Sequence, residues 1–127
     1  MKIVVKVGTS TLTHVTGCVN IRRIEKLVKV LSDIKNAGNQ VILVSSGAIA
    51  MGVGKLNLEK RPDDIAGKQA AAAVGQCELM YTYDKLFLQY NQTVAQILLT
   101  AEDLRTPDRH KKVEDTMERL LKLRVLP

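Results

Sequence analysis

Two short apolar runs, joined by one amphipathic stretch, constrain the fold of this chain more than any other feature. The runs Ile3–Val7 and Val41–Val44 are typical of strands that are buried on both faces of a parallel sheet. Between them, apolar residues recur at helical spacing after Asn20, a good N-cap, and the pattern ends near Ala37–Gly38. A strand, a crossover helix and a second strand form a βαβ unit, which makes the two strands parallel.

Helical and extended patterns continue to alternate along the rest of the chain. This alternation predicts an α/β fold with a mainly parallel sheet and helices on both faces. Because the last strand is only begun, we expect one incomplete domain over residues 1–127. The remaining predicted elements are a loop at 57–64, a long Ala-rich helix from about Ile65 to Gln89 capped by Asp63 or Asp64, a strand at Thr93–Leu99, a capping box at 100–103, a helix from Pro107 to about Leu123, and the start of a strand at 124–127.

The composition is that of an ordinary globular protein. Of the 127 residues, 46% are apolar and 25% are charged, which excludes a disordered or fibrous chain. The apolar-rich, uncharged run Val41–Gly54 is interrupted by Ser45, Ser46 and Gly47 and is shorter than the roughly 20 residues that a membrane helix needs. No secretory apolar region follows Met1, so we expect a cytoplasmic protein with no membrane partner. Cys18 and Cys77 lie far apart, and neither a zinc site nor a disulfide framework is predicted.

The net charge of +6 raises the question of a nucleic-acid partner. Aromatic residues make up only 3% of the chain and tryptophan is absent, so few side chains are available for base stacking. The basic residues are also divided between two predicted helices, where solvated helix faces explain them. No nucleic-acid partner is therefore predicted, and a basic nucleic-acid-binding domain stays the least favoured alternative.

Small and polar residues follow each of the first two predicted strands. After the first, Lys6 is a cation, Gly8 lets a ligand approach the backbone, and Thr9 and Ser10 add hydroxyl groups. After the second, Ser46–Ala48 leads into a helix N-terminus, which favours an anion. Ligands of open α/β sheets lie beyond the carboxyl ends of the strands. Both segments are therefore candidate sites for a phosphate or a carboxylate.

Each of these residues also has a simpler explanation. A lysine in a buried strand is costly unless it is paired, which makes Lys6 the strongest signal, but a lysine at a strand end can also extend to solvent. Gly8 suits a tight turn, the two hydroxyl groups suit the loop backbone, and Ser46–Gly47 suits an ordinary helix start. Singly, none of them identifies a site.

Other common phosphate and hydrolase motifs are absent. The P-loop pattern fails because Val53 stands where its lysine is required, and the dinucleotide fingerprint fails at Asn57. The two histidines, His14 and His110, have no motif around them, so metalloprotease and Ser-His-Asp hydrolase chemistry have no support. If the two segments bind phosphate, this chain must therefore belong to another class of phosphate-binding protein.

Four segments become specific when they are taken together: Lys6–Ser10, Val44–Gly52, Lys68–Gln76 and Gln96–Thr100. They resemble the amino-acid kinase family, and within it the branch that phosphorylates glutamate. The single Gly8 favours that branch, because aspartokinases typically have an extra glycine and acetylglutamate kinases a Gly-Gly pair. Uridylate and carbamate kinases are less similar. The resemblance runs from Lys2 to Pro127.

The resemblance implies the α/β/α sandwich of that family, with residues 1–127 as its N-terminal, acceptor-substrate half. It implies ATP-dependent phosphorylation of the γ-carboxylate of L-glutamate, a first step towards proline, with Mg²⁺ as a cofactor. The nucleotide-binding half and the metal ligands are expected outside this chain, and a homo-oligomer is expected. By the same resemblance, Lys6 is the catalytic cation on the ATP phosphates, and the other assigned residues are Gly8, Thr9 and Ser10 around the phosphoryl group and Ser46, Gly47 and Ala48 around the glutamate.

Two alternatives stay open besides nucleic-acid binding. The chain could fold as a module that turns nothing over, or it could belong to a family member that phosphorylates a different carboxylate or phosphate acceptor.

Overall fold

The computed structural model describes all 127 residues. Strands and helices alternate in the first third of the chain, and helices dominate the rest. The elements are β1 (Lys2–Val7), α1 (Thr9–Leu12), α2 (Ile21–Asn36), β2 (Gln40–Ser45), α3 (Ala48–Lys55), α4 (Ile65–Leu88), α5 (Ala101–Arg105) and α6 (Pro107–Lys122).

The predicted βαβ unit is present. β1 and β2 pair in parallel, in a register that places Lys2 beside Gln40 and Val7 beside Ser45. Helix α2 begins where the sequence predicts, because the Asn20 side chain accepts a hydrogen bond from the Arg23 N–H at 3.3 Å. The parallel strands and crossover helix confirm the α/β fold class.

The core lies on one face of this two-stranded sheet. Strand residues on that face include the buried Val7 and Val41, and they pack with α2 and α4. From α4, the side chains of Leu79, Tyr83 and Phe87 enter the same cluster at a spacing of four residues, which places them on one side of the helix. The first strands are thus fixed against two helices.

The opposite face of the sheet is much more open, so the prediction that β1 is buried on both faces is wrong. Val4 is 61% exposed and Val44 is 45% exposed on this side. Helix α6 approaches the sheet here, where the Lys2 ammonium forms an ion pair with Glu118. That contact lies at the start of β1, and no helix covers the face near the strand's end.

The predicted strand at Thr93–Leu99 is also wrong. Its one bridge joins Val94 to Leu126 in parallel, and the backbone groups of Gln96–Leu99 form no hydrogen bond with the chain. An extended segment becomes a strand only where a neighbour pairs with its backbone. Leu98, at 73% exposure, stands in solvent.

The expected strand start at 124–127 forms only an isolated bridge. Its first residue, Arg124, has a φ of 61°, which interrupts extended geometry at that point. Its last residue, Pro127, accepts a hydrogen bond from the Leu43 N–H at 3.0 Å, so the segment does run beside β2. The apolar patterns at 93–99 and 124–127 thus identified segments that lie next to the sheet. Each segment pairs over too few residues to form a strand.

The helices predicted in the second half agree closely with the structure. Asp64 is the N-cap of α4 and accepts a hydrogen bond from the Gly67 N–H at 2.7 Å. Thr100 and Asp103 form the predicted capping box at the start of α5. None of the helices combines the length and the apolar composition that crossing a bilayer requires.

Candidate functional site

The carboxyl ends of β1 and β2 lie side by side and bring the two predicted segments together. Because Val7 pairs with Ser45, the residues that follow each strand leave the sheet at the same edge. The Ser46 N–H donates a hydrogen bond to the Val7 carbonyl at 3.0 Å, which extends the pairing by one residue. The candidate phosphate segment and the candidate glutamate segment are therefore direct neighbours.

The first segment turns sharply after β1. Gly8 has an extended backbone and is the N-cap of the short helix α1, and its carbonyl accepts a hydrogen bond from the Thr11 N–H at 3.1 Å. A Cβ added to Gly8 would have no atom within 4 Å, so the space above this backbone is open. A ligand could approach the backbone here more closely than it could beside a larger residue.

Two hydrogen bonds to its backbone carbonyl groups hold helix α1 in place. The Arg23 guanidinium of α2 donates a hydrogen bond to the Ser10 carbonyl at 2.9 Å, and the Thr13 hydroxyl donates to the Thr9 carbonyl at 3.1 Å. Both bonds use backbone carbonyl groups, and the side-chain hydroxyls of Thr9 and Ser10 form none within the chain. These two hydroxyls are free to bind a ligand.

Lys6 is exposed, contrary to the sequence argument that treated it as a lysine in a buried strand. It lies on the open face of the sheet, on the same side as Val4 and Val44, and it forms no ion pair within the chain. Burial therefore gives no reason for a lysine at this position. The location of Lys6 still supports a role in the candidate site, because Lys6 is two residues before Gly8 and one strand away from the Ser46 segment.

The second segment begins α3 through a glycine that its geometry requires. Gly47 is the N-cap of α3, is buried, and has a φ of 111°, a left-handed conformation that side chains disfavour. A Cβ at this position would lie 3.6 Å from Leu12 Cδ1, which is ordinary contact distance. Backbone conformation, rather than space, thus explains the glycine, and α3 begins directly after the shared edge with its first N–H groups free of helical partners.

Helix α4 fixes the start of α3 by close backbone contact. A Cβ on Gly75 would lie 1.6 Å from the Ala48 carbonyl oxygen, and one on Gly52 would lie 1.8 Å from the Ala71 carbonyl oxygen. The Ala-rich segment of α4 therefore packs closely against α3. The segment Lys68–Gln76 supports the candidate site by holding Ala48, and it does so without a polar group.

The sequence analysis missed one polar support, the hydroxyl of Tyr83. This side chain is buried in the core and its hydroxyl lies 2.8 Å from the Ser45 hydroxyl, which itself donates to the Ser46 carbonyl at 3.0 Å. Because Ser45 uses its proton for that bond, Tyr83 is the donor to Ser45. Burial raises the pKa of Tyr83, so it keeps its proton. The spacing of Leu79, Tyr83 and Phe87 signals a core face, but nothing in it identifies the partner.

A cleft of about 790 Å³ opens beside α1. Thr9 and Ser10 line one wall, and the loop at 57–61 brings the cations Lys60 and Arg61 to it. Neither Lys6 nor Ser46–Ala48 lines this cleft. The candidate residues thus share an edge of the sheet, but they do not enclose one pocket.

No three side chains of His, Cys, Asp or Glu converge in a way that could hold a metal ion. We assign no metal ligand to this chain.

The sequence profile of the amino acid kinase family matches residues 1–127. The chain belongs to the amino acid kinase family. The parallel βαβ unit and the polar segments at its strand ends agree with that membership.

Curated members of the family are strongly similar over almost the whole chain. A glutamate 5-kinase of Clostridium perfringens is 56% identical over 126 residues, which are 99% of this chain and 47% of the relative. Glutamate 5-kinases of Clostridium acetobutylicum and Moorella thermoacetica are 52% and 51% identical, over 47% and 33% of their own lengths. The chain thus spans half or less of the length of the relatives it matches.

Proposed function

We propose that residues 1–127 form the acceptor-binding half of a kinase that transfers a phosphoryl group from ATP to the γ-carboxylate of L-glutamate. One observation carries the proposal: the Ser46 N–H bonds the Val7 carbonyl at 3.0 Å, so the segment after β1 and the start of α3 form one edge. The glutamate 5-kinases of C. perfringens, C. acetobutylicum and M. thermoacetica, which each match 99% of the chain, support glutamate as the acceptor. The product is glutamyl 5-phosphate, and its formation is a first step towards proline.

The chemistry suits the residues at this edge. A carboxylate acceptor is already ionised at pH 7, so the reaction needs no general base. Catalysis then consists of alignment and of neutralising charge on the transferring phosphoryl group. Lys6 supplies a cation with no partner inside the chain, and the exposed Gly8 backbone gives room for phosphate oxygens. Ser46, Gly47 and Ala48 offer the acceptor a hydroxyl group and the first N–H groups of α3.

ATP supplies the phosphoryl group, and Gly8, Thr9 and Ser10 would hold its phosphate oxygens. The open space above Gly8 fits such a group. Mg²⁺ is typical of ATP-dependent kinases, but this chain has no acidic cluster to hold it. The cytoplasmic location, the homo-oligomer and the absence of a nucleic-acid partner stay predictions.

Joining residues 1–127 to the remaining part of the C. perfringens relative tests this function. We expect this chimeric kinase to form ADP in the presence of ATP only when glutamate is added. The 127-residue chain alone should show no measurable turnover, because losing the alignment of the two substrates can forfeit about 7–11 kcal/mol of the barrier reduction.

Coupled detection of ADP measures both proteins, with the parent C. perfringens enzyme as the positive control and aspartate as a competing acceptor. Turnover by the 127-residue chain at a rate close to that of the chimera would contradict the division of the site. A folded chimera that forms no ADP with glutamate would contradict the proposed function.

The start of α3 gives a second test in the chimera. Gly47→Val should raise the KM for glutamate by about tenfold, with a smaller change in the KM for ATP, because a side chain there disturbs the N–H groups assigned to the acceptor. The variant also carries the strain of a φ of 111°, which costs about 1–2 kcal/mol.

Gly38→Val is the matched control for that strain. Gly38 has a φ of 95°, and an added Cβ would meet nothing within 4 Å, but it lies at the opposite end of the sheet. The control should lower the melting temperature while leaving both KM values unchanged. Equal increases in the two KM values of Gly47→Val would indicate general damage at the junction of β2 and α3.

A further inference from the structure

A second polar cavity lies at the amino end of the sheet, opposite the candidate catalytic edge. Its volume is about 590 Å³, and it is enclosed by the end of α2 and the following turn, the loop at 91–93, and the end of α6. Lys35, Lys122 and Arg124 line it, together with several amide side chains, and no aspartate or glutamate does. With three cations and no carboxylate, the side chains that line the cavity carry a net positive charge.

Two hydrogen bonds fix the Lys35 ammonium group in this cavity. The Lys35 ammonium donates to Gln92 Oε1 at 2.6 Å and to the Arg124 carbonyl oxygen. Gln92 is only 5% exposed, and its amide nitrogen donates to Asn36 Oδ1 at 2.9 Å, so the oxygen that accepts from Lys35 cannot rotate away. Both acceptors of Lys35 are neutral. They set the position of the ammonium group, but they do not neutralise its charge.

The charge on Lys35 is also opposed by its surroundings. Burial lowers the pKa of Lys35, and repulsion from Arg124 lowers the pKa further. No acidic side chain acts in the other direction. A bound anion would remove this repulsion, because it would neutralise both cations at once.

Free backbone donors lie beside these cations. The N–H groups of Asn39 and Thr93, which both line the cavity, have no acceptor within the chain. Oxyanions are well suited to such a set of groups, because their several oxygens accept from ammonium, guanidinium and backbone N–H groups together. A carboxylate or phosphate group is small enough for a cavity of this size.

We propose that this cavity is an anion-binding site, separate from the candidate catalytic edge, that takes a phosphate group held by Lys35 and Arg124. The site does not depend on the kinase activity proposed above. The phosphate group is either free inorganic phosphate or the phosphomonoester of a nucleotide, since both present the same oxygens.

The test is a titration of the ¹⁵N-labelled 127-residue chain, followed by NMR. Sodium phosphate and AMP are added separately, against sodium chloride at matched ionic strength. We expect saturable shifts at the amides of Asn39, Gln92, Thr93 and Arg124 that chloride does not reproduce. A response to phosphate alone identifies the free anion, and a response to AMP as well identifies a phosphomonoester.

Arg124→Asn is the decisive variant, since asparagine tolerates the φ of 61° at this position while it removes the guanidinium group. The dissociation constant for phosphate should rise by about tenfold or more, as expected for the loss of a charge-assisted hydrogen bond. Lys29→Gln on the exposed side of α2 removes the same charge elsewhere, and it should leave the affinity unchanged.

Three results would overturn the proposal. They are shifts confined to residues 8–10 and 46–48, shifts that chloride reproduces, and an equal loss of affinity in Arg124→Asn and Lys29→Gln. Circular dichroism of Arg124→Asn checks that the variant is folded. If it is unfolded, the wild-type shift pattern alone decides between the two ends of the sheet.

Discussion

Lys6→Met in the chimeric kinase is expected to lower kcat by about 100- to 1,000-fold and to leave the melting temperature nearly unchanged. The large kinetic effect follows because Lys6 is assigned to charge that develops on the phosphoryl group in the transition state. The small effect on stability follows because Lys6 is exposed and forms no ion pair within the chain. Steady-state kinetics and thermal unfolding of the same preparation measure both quantities.

Lys2→Met is a matched control for this prediction. Lys2 lies on the same strand and the same face, four residues before Lys6, but at the opposite end of β1. Removing Lys2 breaks its exposed ion pair with Glu118, which contributes little to stability, and should leave kcat unchanged. A Lys6→Met chimera with near-normal kcat would exclude Lys6 from the mechanism.

Gly75→Ala is expected to destabilise the chain by about 2–3 kcal/mol, a large part of the roughly 5–15 kcal/mol that stabilises a typical domain. The added Cβ would lie 1.6 Å from the Ala48 carbonyl oxygen and 2.5 Å from the Gly52 nitrogen. Both are backbone atoms, so α3 and α4 must move apart. The gain in helix propensity from glycine to alanine, about 1 kcal/mol, offsets only part of this cost.

Urea unfolding of the 127-residue chain, followed by circular dichroism, measures the effect. Cys77→Ala is the control, since Cys77 lies on the same helix and is exposed. That control should leave the free energy of unfolding within about 0.5 kcal/mol of the wild-type value. An equally stable Gly75→Ala variant would show that α3 and α4 do not need their close contact.

The sequence was sufficient for elements whose signals are local. Asn20, Asp64 and the Thr100–Asp103 pair each cap a helix through bonds that reach three residues along the chain, so a reader of the sequence can identify them. Strand pairing depends on distant segments. Gln96–Leu99 has the composition of a strand but no neighbour to pair with, and composition cannot reveal that.

In the candidate site, too, the sequence predicted the local features and missed those that depend on distant segments. The sequence placed a small-residue turn at the end of each strand, and the register of β1 and β2 makes the two turns adjacent. It gave the wrong environment for Lys6, because burial of a strand face depends on which helices cover it. It also missed the bond between Tyr83 and Ser45, since a phenol in a core-facing position has no sequence signal for its partner.

The hydrogen bond from the Ser46 N–H to the Val7 carbonyl couples the turns that follow β1 and β2, so that one turn cannot move without the other. A ligand that displaces the backbone at Gly8 must also displace the start of α3, and α4 resists that movement through Gly75. Slow exchange of the Ser46 amide with deuterated solvent, at a rate close to that of the β2 amides, would report this rigidity. Selectivity among acceptors would then depend on the fixed geometry of this edge, and adaptation to a new acceptor would require changes in residues that face the ligand.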